Sequence, residues 1–220
     1  MPQILNLVQK EFTLELRRKA VISGIALYLV SLTFIVYITF SLRNNVINEA
    51  TWSALFWLAI LFSVINSVAK SFIGEKKGLS IYYYSLVSPQ AIIASKIIYN
   101  TLLCIFLSGV GFVLFAVFIG NPVQDLVIFC TTLALSSWGF SAALSLISGI
   151  AAKANNSSVL MAVLSFPVVI AILLMAIKVT KNALDGLDRG SSSDELINLL
   201  AINCILTALA YLLFPYIWRS

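Results

Sequence analysis

Uncharged, mostly apolar positions gather into six long runs: Ala20–Leu42, Ala50–Ala69, Ile97–Gly120, Leu126–Ala152, Ala154–Ile177 and Leu196–Trp218. Each reaches the roughly 20 residues that a helix rising about 1.5 Å per residue needs to cross a hydrocarbon core about 30 Å thick. Barrel strands would leave weaker, alternating segments of about 10 residues instead. Residues 2–19 follow another rhythm. Ile4, Leu5, Val8, Phe12 and Leu16 recur at steps of three to four on one helical face, while Lys10, Glu11, Arg17 and Arg18 fall largely elsewhere. A basic amphipathic helix leading into a span is expected to lie in the membrane interface. The pattern predicts one all-α integral membrane domain over 1–220, with an interface helix at 1–19 and spans at about 20–42, 50–69, 97–120, 126–152, 154–177 and 196–218. The first run, 23 residues with no clean A-x-A site, is expected to be retained rather than cleaved as a signal peptide.

Composition sharpens this. The chain of 220 residues is 60% hydrophobic and 10% charged, against about a quarter charged in soluble domains. The net charge of +5 reads as a topology signal, not a nucleic-acid footprint. With the N-terminus in the cytosol, ten of the fourteen basic residues fall inside (Lys10, Arg17, Arg18, Lys19, Lys70, Lys76, Lys77, Lys96, Lys153 and Arg219). Arg43, Lys178, Lys181 and Arg189 remain outside, with six of the nine acids. Both termini are therefore expected in the cytosol.

The six runs contain none of the 23 charged residues, and the chain has no His. Intramembrane ionisable groups carry proton relays and voltage sensing, so a proton-coupled pump is disfavoured. No Ser–His dyad, intramembrane Asp pair or H-E-x-x-H motif supports a protease. No Walker A motif is present, and no metal site is expected from Cys104, Cys130 and Cys204. Any energy for transport must come from another chain.

Within the runs, Ala134, Ser137, Ser141, Ser145, Ser148 and Ala152 form a small-residue stripe, suited to close helix packing or to lining a substrate path. Asn66, Asn100, Asn155, Asn156 and Asn203 are amides that seek partners in hydrocarbon, most simply across helices. Pro167 is expected to kink or open the fifth run. In the loop 70–96, Glu75-Lys76-Lys77 and Gly78 precede a candidate short helix, Leu79–Val87, with Tyr82, Tyr83 and Tyr84 at interface depth. Ser88-Pro89 then reads as an N-cap with Pro at the first helical position, so a helix should start there and run into the third span. This loop, with Glu75, Lys76, Lys77, Gly78, Ser88, Pro89 and Lys96, is what an energy-supplying partner would grip. Outside, Asp194 is expected to cap the sixth span.

EFTLELRRK near the start, GEKKG…SLVSP…ASK in the second loop and WGFSAALSLISGIAAKANNSSVLMAVLSFPVVIAILL together resemble the haem exporter protein B family, with Gly149, Lys153, Asn156, Leu160 and Pro167 at positions its pattern leads one to expect. The chain departs from that pattern after Gly78, where Leu79-Ser80-Ile81 stand in place of an early acid. The resemblance implies an ABC-permease-like fold and the role of permease subunit in bacterial cytochrome c maturation. It implies a separate cytosolic ATPase that binds ATP, a haem-handling membrane subunit and a haem chaperone on the outer side, all at the bacterial inner membrane. Haem would be a transported substrate and not a tightly bound cofactor, since only Met1, Met161, Met175, the cysteines and the tyrosines are left as ligands. A permease for a lipid or drug-like molecule and a non-transporting scaffold also match the bare span pattern, as does pairing of two copies into a twelve-helix homodimer.

Overall fold

A computed structural model describes residues 2–17, 19–41, 47–68, 87–153, 157–187 and 189–219. Among these the regular structure is helical: α1 (Pro2–Arg17), α2 (Lys19–Ser41), α3 (Glu49–Val68), α4 (Pro89–Phe118), α5 (Leu126–Ala151), α6 (Ser157–Leu184) and α7 (Ser193–Arg219), with one 3-10 turn, Arg189–Ser192, before α7. The six helices α2–α7 are long and apolar enough to cross a membrane.

The architecture is centred on α5, which packs against α4, α6, α7 and α3. Of the apolar stretches, 61% of the residues in α3 and in α5 are buried inside the protein, against 17% in α2. With lipid as apolar as Leu, burial of this kind is held by shape and hydrogen bonds, since there is no hydrophobic drive between helices. Shape comes from rings: Trp52 stacks on Phe56 at 5.3 Å, and Phe115 meets Phe56 edge-on at 5.6 Å. Phe129 of α5 closes the group, 4.7 Å from Phe112. Gly139 lets α5 approach α7, since a Cβ there would run into Asn203 Oδ1.

Hydrogen bonds supply the rest. Ser53 Oγ donates to Ile177 O at 3.1 Å and Trp57 Nε1 to Thr180 Oγ1 at 2.8 Å, tying α3 to α6. Ser141 Oγ donates to Ile97 O at 2.7 Å, and Asn100 Nδ2 to Ser145 Oγ at 2.8 Å, tying α4 to α5. Asn203 Nδ2 reaches Leu135 O at 2.7 Å.

The end opposite α1 is laced together. α4 stops at Gly120, whose φ of +105° ends the helix and whose N–H bonds Phe115 O. Asp125 caps α5 by accepting from Val127 and Ile128 N–H, while Arg189 grips the same carboxylate at 2.7 Å. These bonds hold the Asp125 carboxyl below its usual range, the Arg189 contact first among them. The N–H groups of Gln124 and Asp125 both bond Ala183 O, Asn182 bonds Ser192, and Lys178 pairs with Glu195 at 2.6 Å.

Two expectations are corrected here, those for Asp194 and Asn66. Asp194 does not cap α7: the helix already includes Ser193, so Asp194 and Glu195 lie in its first turn, where carboxylates favour the helix dipole. α6 runs on through Pro167, which has no N–H, so Val163 O lacks its usual i+4 donor. Asn66 turns back on its own helix, donating to Phe62 O at 2.9 Å rather than crossing to a neighbour.

Candidate functional site

The candidate site is the junction of α1 with the base of α4, directly after the loop expected to contact a partner. α4 begins as its sequence dictates. Ser88 has an extended backbone, its Oγ accepts from Ala91 N–H, and Pro89 occupies the first helical turn, where its missing N–H is of no consequence. The helix then continues for 30 residues into the bundle. A force applied at Ser88 therefore reaches the α4–α5 interface through one continuous rod.

Two turns above Pro89, Lys96 is 2% exposed. Its Nζ lies 3.2 Å from Glu11 Oε2 of α1, and Glu11 Oε1 receives Lys10 Nζ at 2.8 Å. One turn further along α4, Tyr99 takes the edge of Phe12 at a ring separation of 5.6 Å. Consecutive residues of α1 are thus held by two side chains on one face of α4. Burial pushes the Glu11 carboxyl up, but the Lys96 ammonium and the contacts of Lys10 outweigh it and keep the group below its ordinary 4.5.

This places α1 differently from the sequence reading. Ile4, Leu7, Val8 and Glu11 lie on its more sheltered side, while Leu5 and Phe12 remain exposed. The apolar stripe is split between protein and surroundings, and Glu11 belongs with the packed residues instead of falling elsewhere. The reason is Lys96, which needs a carboxylate once it is buried. The signal was in the sequence: Glu11 stands at i+7 from Ile4 and i+3 from Val8. Lys96, expected among the residues that a partner would grip, lies on the helix that Ser88-Pro89 starts and faces Glu11 of α1.

Of the other candidate residues, Ser141 and Ser145 meet α4 through the bonds given above, and Ser137 is buried beside them on the same stripe. For Ser141 and Ser145 these bonds join α5 to α4. Pro167 lies on α6, away from this junction. Glu75, Lys76, Lys77, Gly78 and Asn156, with Asn155, the segment Leu79–Leu86 and its three tyrosines, lie outside the described residues. Lys153, in the turn after α5, donates to Trp218 O at 3.4 Å and so joins the end of α5 to the end of α7.

Among the described residues no three His, Cys, Asp or Glu side chains group as metal ligands. Cys104 is buried, whereas Cys130 and Cys204 are exposed on the outer faces of their helices. Met161 is buried in the main core and Met175 packs against it.

A family model described as CcmB protein matches residues 2–215. Neither curated proteins nor solved structures supplied a match. The family match takes in α1, the junction with α4 and all six long helices, and the chain belongs to the CcmB protein family, that of haem exporter protein B.

Proposed function

We propose that this chain is the permease subunit of an ABC system that exports haem for cytochrome c biogenesis. The family match over residues 2–215 carries the reading. The α1 end of the bundle faces the cytosol of a bacterial inner membrane, with both termini on that side, because ten of fourteen basic residues then lie inside. A separate ATPase subunit docks on the loop through Glu75, Lys76, Lys77 and Gly78 and drives α4 through its Ser88–Pro89 start. A haem-handling membrane subunit and an outer-side haem chaperone complete the path.

Haem is substrate here, not resident cofactor. With no His in the chain, strong neutral axial ligation is missing, and Met161 and Met175 are occupied in packing. Apolar helix faces with polar ends suffice for a lateral path.

The test replaces Ser88-Pro89 by Gly-Gly, which removes the capping oxygen and the fixed φ, a local loss on the order of 1–2 kcal/mol. The variant is expected to insert and to lose most ATPase-dependent cytochrome c maturation. Full maturation with normal insertion would refute the docking assignment. An ATPase that does not co-purify with the wild-type chain would refute the functional reading.

A further inference from the structure

Resting on that reading, we propose that the Glu11–Lys96 ion pair makes α1 part of the moving unit, so that the interface helix travels with the base of α4 when the ATPase acts.

The geometry is specific. An interface helix that served only as an anchor would need an apolar underside and charges directed to water. α1 instead turns a carboxylate toward the protein, where its side chain is 14% exposed, onto an ammonium whose side chain is 3% exposed. Burying both charges is costly, and apolar residues of similar volume would hold the helices together at least as well. What an ion pair adds is direction. Glu11 Oε2 must stay within hydrogen-bond reach of Lys96 Nζ, which sets the rotation of α1 about its own axis and its position along α4. The Phe12–Tyr99 contact, one residue along α1 and three along α4, fixes the same register from the neighbouring position. Lys10 supplies a second cation to Glu11, so the carboxylate stays ionised as the helices shift.

The location matters as much as the pair. Lys96 lies on the same unbroken helix as the Ser88 cap. α1 also leads into α2, which begins at Lys19. A displacement of the α4 base is therefore passed to α1 through the ion pair, while α2 is reached both along the chain from α1 and by its own packing on α4. Glu11 and Lys96 are positioning residues: neither need touch the substrate or the ATPase.

The test uses the full chain with spin labels at Gln3 and Gln90, both exposed. Lys96→Met keeps the buried stem and removes the ammonium, and Lys10 still neutralises Glu11. Glu11→Gln tests the other partner, and Glu11→Lys with Lys96→Glu restores a pair of reversed sign. The wild-type labels are expected to give one narrow distance distribution. Each single variant should broaden it and lower ATP-dependent output at least tenfold, with ATP hydrolysis retained in the assembled complex. The reversed pair should recover both readouts. A distribution that stays narrow in both single variants, or output within twofold of wild type when it broadens, would overturn the proposal. Because the distance is measured on the chain alone, it separates the two failures. A narrow, variant-sensitive distance in a wild-type chain without ATP-dependent output would overturn the functional reading and the coupling role together, leaving the contact itself intact.

Discussion

Gly139→Ala is expected to destabilise the bundle even though it improves helix propensity. The added methyl would run into Asn203 Oδ1, with Ile172 Cδ1 next at 3.1 Å. Ile172 has a flexible end and can yield. Asn203 cannot swing aside without losing its bond from Nδ2 to Leu135 O, 2.7 Å long. Overpacking of this kind costs about 1–3 kcal/mol, and an interhelical hydrogen bond within a membrane is worth about 0.6–1.7 kcal/mol. Replacing Gly by Ala in a helix returns about 0.8–1 kcal/mol. The balance is a net loss of about 1–4 kcal/mol, so the steric term wins. The assay is equilibrium unfolding in mixed micelles of wild type, Gly139→Ala, Asn203→Ala and the double variant. With Asn203 already truncated, Gly139→Ala should become neutral or mildly stabilising. The coupling between the two sites should then exceed about 0.5 kcal/mol, the usual scatter of independent positions. Two effects that simply add would refute the account of how α5 and α7 approach, as would stabilisation by Gly139→Ala alone.

Acid should release α1 late. The Glu11 carboxyl is held below its ordinary value, so the stabilisation it gives is fully present above the unfolded value and is lost as pH falls through the lower folded one. The label distance between α1 and α4 should match at pH 7 and pH 5 and change only once the pH has fallen below the ordinary carboxyl value of 4.5; loosening near pH 6 would contradict the ion pair as drawn. A single cysteine at position 186, in the loop that joins the laced ends of α6 and α7, should react with an impermeant reagent from outside, and one at position 78 should not; the reverse pattern inverts the proposed topology. Haem added to the purified subunit should give no saturable low-spin Soret shift, whereas a stoichiometric shift abolished by Met175→Ala or Cys130→Ala would make this a haem-binding protein in its own right.

The long helices were legible because lipid imposes a length and a composition on any helix that crosses it, and the runs around Trp52–Phe62 and Leu126–Ala151 carry both. Ser88-Pro89 was legible because a cap depends on residues within one turn, whatever the rest of the chain does. The partner of Lys96 was not: Glu11 lies 85 residues earlier, and only packing of α1 on α4 brings them together. The same holds for Trp57 and Thr180, which are 123 residues apart. Asn66 and Asn203 look alike in sequence, yet one turns to its own backbone and the other to α5, because α7 packs on α5 at that level whereas Asn66 sits on an exposed part of α3. Asp194 misled because Ser, Asp and Glu in succession all suit a helix start, and the preceding 3-10 turn decided which came first.

The bonds between α3 and α6 set a schedule for synthesis. When α3 leaves the ribosome, Trp57 Nε1 and Ser53 Oγ are ready, but Thr180 and the Ile177 carbonyl are 123 and 124 residues behind. At about 5–20 residues per second, they arrive roughly 6–25 s later. Through that interval the half-built protein offers lipid an indole N–H on Trp57 and a hydroxyl on Ser53 without their α6 acceptors, polar groups that are costly to leave unpaired in hydrocarbon. A delay in the insertion of α6 is thus expected to show as loss of protein before any loss of transport.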